Sequence, residues 1–263
     1  MSQAYPYNGH LSRWETVADG LAIVAVSHDQ DPFPFTPGQY ATIGLLGPEG
    51  KVVLRPMSIS SPSTDLSEYE FFIRHVPEGD FTPLLWEIGV GDPIFIKGAK
   101  GKFVLQDDGK RCLFVASGTG LAPFMSMIET LLATGEKREI HLLHGASYAH
   151  DLAWREWLNE IEDEGLLPLH YAGTVSRPEG SPGWQGLTGR VEAVVAAEMD
   201  RRGLTAANTT MYLCGNPDMI TAVETIALER GFPPEQIRKE LYWPKARPHG
   251  PPTTLPAVEE PVP

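Results

Sequence analysis

Two hydrophobic rhythms divide this chain. From Gly9 to about Phe103, short runs rich in β-branched and aromatic residues are separated by Gly and Pro, as at Leu21 to Ser27, Tyr40 to Leu45, Val52 to Ser60 and Tyr69 to His75. Short runs of this kind between turn formers read as strands, and their even spacing predicts a small antiparallel barrel. Pro37-Gly38-Gln39-Tyr40 reads as a turn entering a strand, and Gly91-Asp92-Pro93 as a turn before Ile94 to Lys97. A short helix fits Phe81 to Trp86.

Beyond about Lys110 the rhythm changes to compact apolar runs alternating with longer amphipathic stretches. Strands fit Cys112 to Ala116, Ile140 to His144, Leu167 to Tyr171 and Met211 to Cys214; helices fit Pro123 to Leu132, Asp151 to Ile161, Arg190 to Ala197 and Pro217 to Glu229. Trp154, Trp157, Leu158 and Ile161 share one helical stripe, and Asp151 stands where it would cap that helix. Strand–helix alternation predicts a parallel sheet with helices on both faces. The expected organisation is a β-barrel over 1–106, an α/β unit over 107–243 and a Pro-rich tail over 244–263 that lacks any apolar period.

Composition narrows the chemistry. The 263 residues are 42% hydrophobic, enough for a core in each unit. No stretch approaches the roughly 20 apolar residues of a membrane helix, and Met1 to Pro6 does not start a basic-then-apolar leader, so no membrane partner is expected and the protein is expected in the cytoplasm. Cys112 and Cys214 stand about a hundred positions apart, with no CxxC pair, so no metal or iron–sulfur centre is expected and any redox group must be organic. A net charge of -13 argues against nucleic-acid binding, which needs clustered Lys and Arg.

The candidate site begins at Gly118-Thr119-Gly120-Leu121-Ala122-Pro123, where a buried strand runs through a Gly-rich turn into a helix. Glycine lets the backbone approach a pyrophosphate, and the helix start offers free N–H groups and a favourable dipole. Pro123 occupies the position of the third Gly of the dinucleotide fingerprint and suits a first helical turn. Alone, this segment reads equally well as an ordinary strand–helix turn. Cys214-Gly215-Asn216-Pro217 again ends a strand and opens a helix, which puts both turns on one edge of the sheet, with a polarisable thiol for a nicotinamide ring. In the barrel, Arg55-Pro56-Met57-Ser58 offers a guanidinium for a pyrophosphate and a hydroxyl for a flavin edge, and Gly79-Asp80-Phe81-Thr82 opens the short helix where phosphate oxygens can be received.

These four motifs, in this order, resemble the ferredoxin-NADP reductase superfamily, most closely its bacterial ferredoxin or flavodoxin reductase branch, over about Gly9 to Trp243. The resemblance implies an N-terminal antiparallel FAD-binding barrel followed by a parallel-sheet NAD(P)-binding domain. It implies hydride transfer between nicotinamide and flavin, with Ser58 and Cys214 flanking the transfer site, and one-electron exchange with ferredoxin or flavodoxin. FAD would be held by Arg55, Pro56, Met57, Ser58, Arg74, Gly79, Asp80, Phe81 and Thr82, with Tyr242 and Trp243 against the flavin. The nucleotide would be held by Gly118, Thr119, Gly120, Ser147, Ser176, Arg177, Arg190, Cys214, Gly215 and Asn216.

Two departures stand out. Met57 replaces the family's usual Tyr against the flavin ring, and Ser147 stands where bacterial relatives often carry an Arg for the 2'-phosphate. Ser176, Arg177 and Arg190 resemble the other 2'-phosphate ligands and no acid occupies 145–148, which favours NADP, with NAD as the alternative. Lys97, Lys100 and Lys102 are the candidate basic patch for an acidic carrier, and Glu240 is a candidate proton route. The alternatives are an NAD(P)H-dependent reductase component of an oxygenase system, or a nonenzymatic flavin-binding subunit.

Overall fold

The computed structural model describes residues 7–241. The first half forms six strands and one short helix: β1 (Gly9–Ala18), β2 (Leu21–His28), β3 (Tyr40–Leu46), β4 (Val52–Ser58), β5 (Tyr69–Arg74), α1 (Thr82–Glu87) and β6 (Pro93–Lys100). They pair antiparallel in the order β4-β3-β6-β1-β2-β5. Just past β4, Ile59 bridges to Phe71 of β5 and so joins the two outer strands. The barrel interior takes alternate side chains, among them Val24, Val26, Ile43, Phe71 and Ile94.

The second half is β7 (Arg111–Ser117), α2 (Ala122–Thr134), β8 (Ile140–Ala146), α3 (Arg155–Glu164), β9 (Leu169–Val175), β10 (Leu187–Thr188), α4 (Val191–Arg202), β11 (Thr209–Gly215), α5 (Pro217–Glu229) and β12 (Ile237–Leu241). Its sheet is parallel, in the order β10-β9-β8-β7-β11-β12. The chain winds outward from β7 in one direction, then resumes on β7's other side at β11. That reversal leaves a crevice at the carboxyl ends of β7 and β11, where ligands of open α/β sheets bind.

β2 explains how the halves meet. Its run Leu-Ala-Ile-Val-Ala-Val is buried throughout because Ala22, Val24 and Val26 fill the barrel, while Leu21 and Ile23 join Phe72 in the core that contains Phe114, Phe124 and Ile128 of the second half. A polar seam runs beside this contact. Arg13 donates to Glu70 at 2.6 Å and to Glu68 at 3.3 Å, and the Ser63 amide donates to the Thr130 hydroxyl of α2 at 3.0 Å. Burial, and then the charge of Glu70, push the neighbouring Glu129 carboxyl up to about 8, with Arg13 opposing.

Some sequence expectations shift. Asp151 does not cap α3: it ends a preceding turn, where its carboxylate accepts the Tyr148 amide at 3.3 Å, and α3 starts at Arg155. Between them Trp154 takes a left-handed conformation (φ 55°), which seats its ring edge-on against Phe72 with centroids 5.2 Å apart. β9 starts two residues later than expected and runs on to Val175, and β1 has no apolar run to reveal it because only Gly9 and Leu11 are buried. No helix among the described residues is long and apolar enough to cross a membrane.

Candidate functional site

A cleft of about 1230 Å³ lies where the barrel faces the carboxyl edge of the parallel sheet. Typical small-molecule pockets run to roughly 300–1,000 Å³, so this one is larger than a pocket for a single small ligand needs to be. Of the residues nominated from sequence, it gathers Arg55, Pro56, Met57, Ser58, Arg74, Gly79, Asp80, Phe81 and Thr82 from the barrel. From the second half come Gly118, Thr119, Ser147, Ser176, Arg177, Arg190, Gly215 and Asn216. Gly120 and Cys214 do not line it. Tyr242 and Trp243 lie outside the described residues.

Two strand ends make the wall on the parallel-sheet side. β7 runs through a 3₁₀ turn at Gly118–Leu121 directly into α2, with Pro123 in the first helical turn. Gly118 has φ 53°, and a Cβ built there would meet no protein atom within 4 Å. Glycine is therefore required by conformation, and the space before it is open to a ligand. Gly120 differs: a Cβ would lie 2.2 Å from the Cys214 carbonyl oxygen, so this residue lets the turn pack on β11. Gly215 (φ 134°) returns the contact, since its Cβ would fall 2.3 Å from the Ser117 hydroxyl, which accepts the Asn216 amide at 2.9 Å. The Asn216 side chain accepts the Asp218 amide at 2.8 Å and so caps α5. The Cys214 side chain is fully buried, in the core shared with Phe114 and Leu121.

Further along the same edge, the ends of β8 and β9 meet. The Ser176 and Arg177 amides donate to the carbonyls of Ala146 and Ser147, both at 3.0 Å. The Arg177 guanidinium donates to the Tyr148 hydroxyl at 3.3 Å and lies 5.6 Å from that ring's centre. Arg190, mostly exposed, approaches Glu192 at 3.9 Å.

The barrel wall depends more on side chains. Arg55 donates to its neighbour's carbonyl at 2.8 Å and to Asp80 at 2.9 Å, which holds it across the β4–α1 gap. Thr82 is nearly buried and spends its hydroxyl on the Val76 amide and carbonyl, shaping the loop into α1. Met57 lines the cleft while packing on the barrel core. Tyr40, which the sequence reading placed only in a strand, also lines the cleft and pairs in register with Ser58 across β3 and β4. Only that register, set once β3 and β4 pair, brings it to the cleft. Glu240 lines the end nearest β12, where burial raises its carboxyl above the usual range.

Charge suits the cleft to anions. In a chain of net charge -13, four guanidinium groups line it against three carboxylates. The open face of Gly118 and these arginines fit a dinucleotide pyrophosphate, and Arg55 and Arg74 fit a second one on the barrel side. The amides opening α2 are not free, since α2 continues from the 3₁₀ turn with Ala122 donating to the Thr119 carbonyl and Pro123 lacking an N–H.

Comparison with known proteins agrees. Residues 10–105 match the oxidoreductase FAD-binding domain and residues 114–225 the oxidoreductase NAD-binding domain. The chain is 31% identical over 238 residues to the ferredoxin–NAD(P)+ reductase component of a naphthalene 1,2-dioxygenase system from Pseudomonas putida, covering 85% of this chain and 68% of that protein. It is 28% identical to the electron transfer component of toluate 1,2-dioxygenase from Pseudomonas putida, over 92% of this chain and 69% of the relative. Against the reductase components of a phenol 2-monooxygenase and of two propane 2-monooxygenases it spans 55–65% of their length. A ferredoxin NADP+ reductase from Neisseria gonorrhoeae, solved with FAD and NADP, superposes with a TM-score of 0.77 at 21% identity, over 89% of this chain and 97% of that one.

Proposed function

This chain belongs to the ferredoxin-NADP reductase superfamily of FAD- and NAD-binding oxidoreductases, and from that premise we propose that it oxidises NADPH and passes the electrons singly to a small acidic carrier of the ferredoxin or flavodoxin kind. The observation that carries this reading is the single cleft shared by Arg55, Ser58 and Arg74 of the barrel and Gly118, Arg177 and Gly215 of the parallel sheet. When bound, the nicotinamide and flavin supply the hydride and its division into single electrons. The chain's part is geometry and electrostatics.

Arg55 and Arg74 would hold the FAD pyrophosphate, with Asp80 giving up its contact to Arg55 when phosphate arrives. Met57 and Tyr40 supply apolar cover at the cleft wall, and Ser58 a hydroxyl. Gly118 and Thr119 would receive the nucleotide's phosphates, while Cys214 acts through the backbone as the surface on which Gly120 packs. Arg177, steadied by Tyr148, and Arg190 would take a 2'-phosphate beside Ser147 and Ser176. Glu240, with its carboxyl raised by burial, can hold a proton at the cleft edge at a higher pH than an ordinary Glu. We take 1–106 as the flavin unit, 107–243 as the nucleotide unit and 244–263 as a tail.

The carrier would dock over Lys100, which pairs with Tyr40 of the cleft, and the nearby Lys97 and Lys102; Arg238 donates to the Lys102 carbonyl at 3.4 Å. The two cysteines are buried and provide no cluster ligands, so the one-electron carrier comes from outside these residues. A second reading, a reductase component serving an oxygenase, is favoured by the names of the relatives. Reduction of cytochrome c by NADPH, measured with and without added ferredoxin or flavodoxin, tests the first reading: strong stimulation by either carrier supports it, and indifference to both contradicts it.

A further inference from the structure

At the opposite, amino-terminal edge of the parallel sheet, three metal-type ligands converge away from the cleft. Parallel pairing sets His141 of β8 beside His170 of β9 in direct register, and their rings stack with centroids 4.8 Å apart. Glu139, which leads into β8, places a carboxylate oxygen 3.0 Å from His141 Nε2. One ligand atom from each of the three lies within 4.8 Å of the others. We propose that Glu139, His141 and His170 form a binding site for one zinc-class divalent cation.

The surroundings are those of a site built to orient ligands. The Glu162 carboxylate lies 3.2 Å from His170 Nδ1, the carboxylate–histidine arrangement that fixes a ligating ring and leaves Nε2 for the ion. Arg111 holds the other oxygen of Glu139 at 3.1 Å, so the oxygen nearest His141 stays directed at the imidazoles. His141 is 96% buried by side chain, given its 4% exposure, and its Nδ1 is buried without a hydrogen-bond partner among the described residues. The nitrogen of His141 that faces Glu139 is Nε2, so the ion would take that position and replace the present hydrogen bond between them. His170 and Glu139, at 40% and 36% exposed, open the cluster to solvent and give an ion its path of entry.

Two imidazoles and one carboxylate, with a position left for water, suit zinc, nickel or copper rather than magnesium, which prefers an oxygen cage. Ligand bonds of about 2.0–2.2 Å would be reached by side-chain rotation of the two exposed ligands. The ion would clip β8 to β9 at the end of the sheet far from the cleft, a structural role independent of the redox reading. The positive charge of Arg111 keeps the affinity moderate.

Untagged, FAD-loaded protein stripped with a chelator and titrated calorimetrically with zinc chloride tests this. One zinc per chain is expected, with a raised melting temperature and no response to magnesium. His170→Gln and Glu139→Gln should each weaken binding about 10-fold or more, and Glu162→Gln about 10-fold through loss of ring orientation. His150→Gln, at an exposed histidine elsewhere, should bind as the native protein does. Zinc bound with unchanged affinity and stoichiometry by His170→Gln, or no zinc bound by the native chain, would overturn the proposal. An anomalous difference peak at the zinc edge among the three side chains would place the ion directly.

Discussion

The two walls of the cleft are built by different means. The nucleotide wall is made mainly of backbone: Gly118 and Gly215 have positive φ, and the turns at the ends of β7 and β11 interlock through Gly120, Gly215 and Ser117. The flavin wall is made mainly of side chains, with Arg55 leaning on Asp80 and Met57 resting on the barrel core. Backbone recognition is bound to the fold, so altering it breaks the site. Side-chain recognition can be exchanged one residue at a time, and Met57 stands where the sequence resemblance implies an aromatic ring.

The largest effect should come from breaking the interlock. In Gly215→Val, a Cβ 2.3 Å from the Ser117 hydroxyl and 2.7 Å from its carbonyl oxygen adds to the strain of φ 134°. Each of these two penalties is about 1–3 kcal/mol, so stopped-flow flavin reduction should slow by about 100-fold or more while bound FAD remains. Unchanged reduction would show that the wall tolerates remodelling. The next effect belongs to the other wall. Arg55→Ala removes a charged hydrogen-bond donor worth about 1.5–3 kcal/mol, so FAD should dissociate about 10- to 100-fold more readily on dialysis, with affinity for immobilised nucleotide unchanged.

A smaller effect tests nucleotide choice. Arg177→Ala should raise KM for NADPH about 10-fold, about 1.4 kcal/mol, and leave KM for NADH nearly unaltered. Equal changes for both would make Arg177 a general contact rather than a 2'-phosphate ligand. The smallest effect lies behind both walls, at the seam. Folding holds the Glu129 carboxyl up at about 8, above its ordinary value of 4.5. Between those values the unfolded chain gives up this proton while the folded chain keeps it, so this residue's contribution to stability falls as pH rises from about 4.5 to about 8. Glu129→Gln should therefore raise the melting temperature at pH above 8 and change it little near pH 5, as calorimetry at the two pH values would show.

What the sequence reveals follows the same contrast. The Gly-rich turns are legible because conformation and motif coincide in a few adjacent residues. The barrel is legible because its interior alternates with polar positions, and β2 reads as strongly apolar because it serves two cores at once. Tyr40 is hidden because its place in the cleft depends on cross-strand register with Ser58, and the pairing of His141 with His170, 29 positions on, exists only once β8 and β9 lie side by side. Asp151 misleads because the chain inserts a left-handed Trp154 between it and the helix it was expected to cap. Cys214 follows strand alternation, which turns its side chain into the core below the cleft.

Everything proposed for this chain depends on FAD and a nicotinamide dinucleotide meeting in this one cleft. The most direct test is anaerobic titration of FAD-loaded protein with NADPH and then NADH, followed by the visible flavin absorbance. A yellow protein that NADPH bleaches stoichiometrically, with NADH slower, is expected. A protein that holds FAD and is bleached by neither nucleotide would contradict it.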